Sequence, residues 1–143
     1  LLSGGFTASL QNIDGYYYYP AFVCPPGRIK IAREKEWSGG DLFLATYPKS
    51  GTHFGLLTSL LVLHKGEFPP KADLHRFCCA PEFSDASNCR SLDEPSVTQP
   101  VRVLETHMPQ HHLKYSETAK YLCIIRDPVN TLASQRRMVY IHI

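Results

Sequence analysis

The sequence has little of what marks several other classes of protein. Its 143 residues carry 15 Lys and Arg against 13 Asp and Glu, and a net charge of +2 gives no broad basic surface for nucleic acid. The longest apolar run, residues 56–63, is broken by Thr58 and Ser59 and is far shorter than the roughly 20 residues of a membrane-spanning helix. With 43% hydrophobic residues, the chain is nevertheless too apolar to be disordered. We therefore expect about one globular domain that binds neither nucleic acid nor membrane.

The sequence also lacks a regular set of cysteines and any Asn-X-Ser/Thr site for glycosylation. Five cysteines are an odd number, and their irregular spacing is not typical of a disulfide framework. The adjacent Cys78 and Cys79 lack the C-x-x-C spacing of redox sites, so we expect them to be packing or surface residues. These absences favour a reducing compartment, and we predict a cytoplasmic protein.

Glycine is missing from the second half of the chain. All nine glycines lie at or before Gly66, whereas a complete domain would be expected to have turn glycines throughout. The chain starts at Leu1 rather than at Met, and residues 130–143 have a helical composition without a Gly or Pro stop signal. We therefore expect residues 1–143 to be part of a domain rather than all of it.

The remaining pattern alternates between strands and helices. Short apolar runs at 41–46, 101–104 and 121–125 predict buried strands. Apolar residues spaced by three or four predict a helix from His53 to about residue 65, with Gly66 as its stop, and a second helix is expected to follow Pro128. This order predicts an α/β fold, a parallel sheet flanked by helices, with ligands at the carboxyl ends of the strands.

Outside these segments the pattern predicts less regular structure. Residues 1–40 are rich in turn residues, and Tyr16–Tyr19 ends at Pro20, which predicts an extended edge segment. Residues 67–100 contain five prolines and are expected to be irregular, with a short helix near Ala72–Cys79.

The loop after the first predicted strand, Thr46–Thr52, has the chemistry of a phosphate site. Gly51 lets the backbone turn tightly, and the first N–H groups of the next helix have no intrahelical acceptors. Lys49 adds a positive charge, and Ser50 and Thr52 add hydroxyl donors. The Gly-x-x-x-x-Gly-Lys-Ser/Thr loop of nucleotide triphosphatases is absent. The alternative is an ordinary Ser/Thr helix cap beside a solvated lysine.

Residues 41–52, read as Asp-Leu-Phe-Leu-Ala-Thr-Tyr-Pro-Lys-Ser-Gly-Thr, closely resemble the 5′-phosphosulfate loop of cytosolic-type sulfotransferases. That family uses 3′-phosphoadenylyl sulfate (PAPS). Its pattern continues with Thr-Trp, where this chain has a histidine that can donate an N–H and a phenylalanine that can stack on adenine. The resemblance implies a set of residues that bind PAPS: Lys49, Ser50, Gly51, Thr52, His53 and Phe54.

A second stretch, Arg126 to Ser134, resembles the 3′-phosphate motif of the same family, an Arg followed eight positions later by a Ser. An Arg at a strand end can grip a phosphate through two hydrogen bonds, and a Ser about two turns into the next helix can face the same cleft. The resemblance implies that both residues bind the cosubstrate. Taken alone, such a pair is more often an Arg that caps a loop and a Ser on a helix surface, but its order and distance from the first loop favour the phosphate site.

The third stretch, Val103–Pro109, resembles the family's Lys-Thr-His-Leu-Pro segment and implies that His107 is the catalytic base. The family's Lys two residues before that His is Glu105 here. Three alternatives are open: Glu105 points away from the site, pairs with Arg102, or marks a weakened or altered enzyme. Together His107, His111 and His112 lack the accompanying ligands of a metal site, and no metal is predicted.

The resemblance implies a P-loop-like fold related to nucleotide kinases, and covers the N-terminal half of the family's domain. It implies transfer of a sulfuryl group from PAPS to a hydroxyl or amine of a small-molecule acceptor, with Lys49 stabilising the leaving diphosphate and no metal required. The alternatives are a non-catalytic homologue that binds PAPS or adenosine 3′,5′-diphosphate (PAP), and a small kinase, which the absent triphosphatase loop disfavours. The family's usual dimer contact lies beyond Ile143, which leaves a homodimer of the full-length protein open.

Overall fold

The computed structural model describes residues 10–21, 23–67, 78–83 and 101–141, with side chains up to residue 137. Two short strands and a helix come first, and a sheet of four strands with two further helices follows. In chain order the elements are β1 (Gln11–Ile13), β2 (Tyr16–Tyr18), α1 (Pro26–Glu34), β3 (Asp41–Thr46), α2 (Thr52–Leu63), β4 (Cys78–Cys79), β5 (Arg102–Thr106), a 3-10 turn (Gln110–His112), β6 (Lys120–Ile124) and α3 (Pro128–Ile141).

The main sheet is parallel, with strand order β4-β5-β3-β6. In the register, Ala45 of β3 lies beside Thr106 of β5, and Thr46 lies beside Ile124 of β6. The carboxyl ends of these three strands therefore meet at one edge of the sheet. The predicted α/β fold with a parallel sheet is confirmed.

The two faces of the sheet bury different clusters because successive side chains of a strand point to opposite faces. On one face Phe43 and Leu104 pack with Trp37, and the Trp37 and Phe43 rings meet edge to face with centroids 4.9 Å apart. On the other face the clustered side chains come from β3, β5 and α2: Leu44, Val103, Leu56 and Leu60. Strand β3 is thus covered on both sides, as its continuous apolar run predicts.

Helix α2 lies very close to the sheet at Gly55. A Cβ atom at this position would stand 2.5 Å from Ile124 Cδ1 and 2.8 Å from Leu44 Cδ1. Leu44 is fully buried and has little room to move. The missing side chain at Gly55 therefore sets the distance between the helix and β3, and hence the position of the loop that joins them.

The opposite, amino edge of the sheet is fastened by an ion pair. The buried carboxylate of Asp41 accepts hydrogen bonds from Arg102 Nε at 2.7 Å and from the backbone N–H of Ser38 at 2.8 Å. Arg102 Nη2 lies 2.7 Å from Asp41 Oδ1, the oxygen that also accepts from Arg102 Nε. Asp41 and Arg102 are register partners, so this pair fixes the alignment of β3 against β5.

Several elements differ from the sequence predictions. The turn-rich interpretation of residues 1–40 is wrong for Pro26–Glu34, which is helix α1. The tyrosine run is extended, as predicted, but it pairs with Gln11–Ile13 through a turn in which Asp14 and Gly15 both have positive φ. The prediction of a helix near Ala72–Cys79 is wrong at Cys78 and Cys79, which form β4. The other six residues of that predicted helix lie outside the described ranges.

The expectation for the paired cysteines is correct for one of them. Cys78 is a free, buried thiol, and burial raises its pKa to about 12. Cys79 is buried and disulfide-bonded, contrary to the prediction that it is a packing or surface residue. The count and spacing of cysteines gave no sign of this bond, because a disulfide depends on distances in the folded chain.

Strand β6 forms an edge of the sheet and is open to solvent. Most of its side chains are exposed, Leu122 among them, and further apolar residues are exposed after its end and on α3: Ile125, Val129 and Leu132. Within the described residues, no helix has the length and apolar character needed to cross a membrane.

Candidate functional site

The loop between β3 and α2 has an unusual backbone conformation. Lys49 has φ of 69° and Gly51 has φ of 115°, and Gly51 is the residue at which α2 is capped. Left-handed backbone is rare for a residue other than glycine, and such strain is concentrated at functional sites. Asn and Asp tolerate it better than Lys does, so the lysine is retained here at a conformational cost.

The start of α2 is not capped by a side chain. The first intrahelical hydrogen bond at this end runs from the Gly55 N–H to the Gly51 carbonyl at 2.9 Å, so the N–H groups before Gly55 have no acceptor within the helix. The Thr52 hydroxyl bonds to the Thr46 hydroxyl at 2.7 Å. The alternative of a Ser/Thr cap is therefore wrong, and the helix end has the donors and the dipole of an anion site.

Arg126 contacts this loop directly. Its Nη1 donates a hydrogen bond of 3.0 Å to the carbonyl of Lys49, which brings the two sequence motifs together although they are 77 positions apart. The guanidinium is exposed and has further donors for a ligand. After it, the Asp127 carboxylate caps α3 by accepting the Asn130 N–H at 2.9 Å.

The other predicted cosubstrate residues lie on the two helices that start at this edge. His53 and Phe54 are exposed in the first turn of α2, and the Phe54 ring is 71% exposed. Ser134 is half-buried and lies in α3, eight residues after Arg126. Ser50 and Thr52 are buried within the loop and the helix start.

His107 follows the end of β5, and its ring is held by the neighbouring strand. Nδ1 lies 2.7 Å from the Thr46 carbonyl oxygen and 3.3 Å from the Thr46 hydroxyl. A carbonyl oxygen can only accept, so Nδ1 carries the proton and Nε2 of the neutral ring keeps its lone pair. The Phe83 ring meets the imidazole edge to face, with centroids 5.6 Å apart. The ring is thus oriented in the tautomer that a base acting through Nε2 requires.

Glu82 lies behind His107 and was not identified from the sequence. Its Oε1 accepts hydrogen bonds from the backbone N–H of His107 at 2.7 Å and from the Thr106 hydroxyl at 3.0 Å. Burial raises its pKa to about 7, against the lowering effect of these bonds. The one sequence signal was a single acidic residue within an otherwise apolar segment, residues 78–83.

Glu105 replaces a family lysine and lies half-buried on β5. Its charge acts on the β4 side of the sheet, where it adds to the rise in the pKa of Cys78 and, far more weakly than burial does, to that of Glu82. Arg102, the partner suggested for it, binds Asp41.

The neighbouring histidines have other roles. His112 is buried, its Nδ1 lies 2.9 Å from the Tyr18 hydroxyl, and burial lowers its pKa. In the described part of the chain no group of three or more His, Cys, Asp or Glu side chains is arranged to hold a metal ion.

Comparisons with known proteins bear on this geometry. A family model for the sulfotransferase domain matches residues 39–141. Among solved structures, the chain is similar to the crystal structure of mouse sulfotransferase SULT7A1 complexed with PAP, with a TM-score of 0.60 and 21% sequence identity. The similarity covers 90% of this chain and 43% of the mouse chain, so this chain spans less than half the length of that protein. The curated proteins contain no match. At this level of identity, the structural likeness establishes a shared fold.

Proposed function

The chain belongs to the sulfotransferase domain family, and from that membership we propose that it transfers a sulfuryl group from PAPS to a hydroxyl or amine of a small-molecule acceptor. One observation carries this proposal: the loop of Lys49 is bonded to Arg126 on one side and, through Thr46, to His107 on the other. Anion-binding groups and a base therefore share one edge of the sheet.

The residues at this edge fit a doubly phosphorylated, sulfated nucleotide. The uncapped start of α2 and the Lys49 ammonium supply positive potential at the loop, which suits the 5′-phosphosulfate. Arg126 and Ser134 suit the 3′-phosphate, and the exposed ring of Phe54 offers a surface for adenine. The mouse structure was determined with PAP, which supports a ligand of this class for the fold.

The proposed mechanism gives roles to two side chains, His107 and Lys49. When bound, PAPS supplies an activated sulfuryl group whose bond to the bridging oxygen breaks as the acceptor attacks. His107 takes the acceptor's proton on Nε2 while its Nδ1–H stays on the Thr46 carbonyl. Lys49 stabilises the negative charge that develops on the diphosphate side. Since the residues mainly position and stabilise charge, no metal enters this scheme.

A second candidate function is binding of PAPS or PAP without catalysis, and Glu105 favours it. A carboxylate where the family has a lysine removes a positive charge from the site and adds a negative one. Losing one positioned electrostatic donor typically lowers the rate by roughly 10²–10³. The loop of Lys49 and Arg126 would still be present to bind the nucleotide.

Calorimetry with PAP and a transfer assay with PAPS and a phenol acceptor separate the two candidates. We expect Lys49→Ala to weaken PAP binding by about tenfold or more and to abolish transfer, because it removes the charge from the loop. His107→Ala should leave PAP binding intact and lower turnover by about 10²-fold or more. Lys30→Ala, an exposed lysine on α1, is the matched control.

The outcomes are distinct. Binding that depends on Lys49, together with turnover that depends on His107, supports the enzyme. Binding without turnover in the unaltered chain supports the non-catalytic homologue. If Lys49→Ala binds PAP as tightly as Lys30→Ala does, the loop is not the nucleotide site and both candidates fail.

The cytoplasmic location predicted from the cysteine pattern is proposed with the function, and the resemblance to cytosolic-type sulfotransferases supports it. The disulfide at Cys79 opposes it, because disulfides are rare in cytosolic proteins. The redox state of this residue therefore distinguishes the cytoplasm from an oxidising compartment.

A further inference from the structure

A buried carboxyl group lies behind the proposed base and has no part in the reaction described above. Glu82 is 2% exposed, although an ionisable side chain is costly to bury. Among the described residues it has no ion pair, and its Oε2 is buried without a hydrogen-bond donor. Such groups are concentrated at functional sites, which makes the contacts of Glu82 informative.

Those contacts converge on the backbone at His107. Glu82 Oε1 accepts from the Thr106 hydroxyl at 3.0 Å and from the His107 N–H at 2.7 Å. The Thr106 hydroxyl in turn accepts the Met108 N–H at 3.1 Å. One carboxylate oxygen and one hydroxyl thus fix three consecutive residues where the chain leaves β5.

The position of this backbone decides where the imidazole points. His107 reaches from the end of β5 to the Thr46 carbonyl on the neighbouring strand β3, so a small shift at its Cα would break a 2.7 Å hydrogen bond. That bond holds the proton on Nδ1. Phe83, the residue after Glu82, packs against the same ring.

We propose that Glu82 is a positioning residue for His107, whose carboxylate locks the turn after β5 so that Nδ1–H stays on Thr46 and Nε2 stays available as a base. The inference rests on the proposed function for the use of that base. The positioning itself is a property of the folded chain and can be measured without turnover.

The ionisation of Glu82 makes the positioning of His107 depend on pH. Hydrogen bonds to a charged acceptor are stronger than those to a neutral one, so the lock is tighter when the carboxylate is ionised. Burial places the pKa of Glu82 at about 7, within the range where the protein would work. The titratable groups around it are Cys24, Glu105 and His107.

The test is heteronuclear NMR of the imidazole nitrogens, which distinguishes the Nδ1–H from the Nε2–H tautomer. We expect the unaltered chain to hold His107 as Nδ1–H above neutral pH. Glu82→Ala should lower the ratio of Nδ1–H to Nε2–H by about threefold or more, because both hydrogen bonds are lost. Glu82→Gln keeps an acceptor oxygen, so its ratio of the two tautomers should match that of the unaltered chain. Because glutamine does not ionise, this ratio should not change across the pH range in which Glu82 ionises in the unaltered chain.

Controls separate positioning from general destabilisation. Glu105→Gln removes a carboxylate from β5, the strand that precedes His107, and should leave the tautomer of His107 unchanged. If Glu82→Ala fails to fold, the His107 amide proton of the unaltered chain is the second measurement: it should shift as Glu82 ionises, and Glu82→Gln should abolish that shift. A folded Glu82→Ala that keeps the Nδ1–H tautomer overturns the proposal, as does an amide shift that persists in Glu82→Gln.

The proposal and the proposed function fail separately. PAP calorimetry on the same variants should give dissociation constants within about twofold of the unaltered chain, since Glu82 does not contact the loop of Lys49 in the contacts described. Absence of PAP binding in every variant would overturn the proposed function and leave the tautomer result standing. A normal PAP affinity with an unchanged tautomer would overturn the role of Glu82 alone.

Discussion

At the scale of single residues, Thr46 joins the two chemical parts of the site. Its hydroxyl bonds to Thr52 at the start of α2, and its carbonyl accepts the proton of His107. In the middle of a buried strand, such a carbonyl would already accept a hydrogen bond from a neighbouring strand. Thr46 is the last residue of β3, where the backbone leaves the ladder.

The residues identified from the sequence stand in local motifs, and the one that was missed does not. Lys49, Arg126 and His107 were each predicted from a short string with its own spacing. Glu82 has its role only through His107, which is 25 positions away. Its effect depends on β4 lying beside β5. A strand of two residues is too short for its pairing to be predicted from the sequence.

Glu82 also makes the stability of the fold depend on pH. Burial raises its pKa from 4.5 to about 7, so between these values the folded chain holds a proton that the unfolded chain has released. Stability from this group is complete below about pH 4.5 and is lost as the pH rises to about 7. At about 1.4 kcal/mol per unit, the loss is on the order of 3 kcal/mol.

Urea unfolding of the unaltered chain and of Glu82→Gln at about pH 5 and about pH 8 tests this. We expect the difference in the free energy of unfolding between the two proteins to move in favour of Glu82→Gln as the pH rises. The comparison is needed because His112, with its lowered pKa, contributes the opposite slope in both proteins. Exposed Glu117→Gln should follow the unaltered chain, and parallel curves for Glu82→Gln would contradict the assignment.

At the scale of elements, prediction succeeded where local pattern decides the structure. Strand β3 and helix α2 have a continuous apolar run and three-to-four spacing, and both lie where predicted to within a residue or two. Strand β5 continues to Thr106, beyond the predicted Leu104, because Glu105 and Thr106 pair with β3. Helix α1 was missed, since only Ile29 and Ala32 of its nine residues are buried and the apolar pattern is weak.

Gly55 provides a test of how α2 is placed on the sheet. Gly55→Ala should lower the free energy of unfolding by about 1–3 kcal/mol, because the new methyl group overpacks Leu44 and Ile124. It should also weaken PAP binding, since a helix displaced from β3 moves the loop at its start. Chemical denaturation and calorimetry measure both effects.

The matched control is Gly27→Ala in the first turn of α1. A Cβ there meets nothing within 4 Å, so the change should raise the free energy of unfolding by roughly 0.5–1 kcal/mol through helix propensity. If Gly55→Ala and Gly27→Ala raised the free energy of unfolding by the same amount, the close packing described for α2 would be contradicted.

At the scale of the whole molecule, the carboxyl edge of the sheet carries the candidate site, and the side of the sheet at β6 is open to solvent. The three strand ends that supply Thr46, His107 and Arg126 are all present, which is why the site could be predicted from this chain. Strand β6 and α3 expose apolar side chains, and the chain spans 43% of the mouse sulfotransferase. Acceptor choice is a property of surfaces that no motif in this chain encodes.

The redox state of Cys79 tests the proposed location. The protein is extracted from its own cells into acid, unfolded and treated with an alkylating label, and mass spectrometry then locates the label. If the protein is cytoplasmic, Cys79 should be labelled, because the cytosol keeps thiols reduced. Cys123, an exposed free thiol, should be labelled in either case and is the internal control. Protection of Cys79 in a sample in which Cys123 is labelled would assign the protein to an oxidising compartment.

The ion pair between Asp41 and Arg102 has a practical consequence. It holds β3 and β5 together at their first residues, while the candidate site lies after their last ones. Asp41 and Thr46, the first and last residues of β3, are five steps or about 17 Å apart. Protein engineers who want a more stable version of this chain can therefore reinforce the Asp41 end, or attach a tether there, without disturbing the carboxyl edge of the sheet.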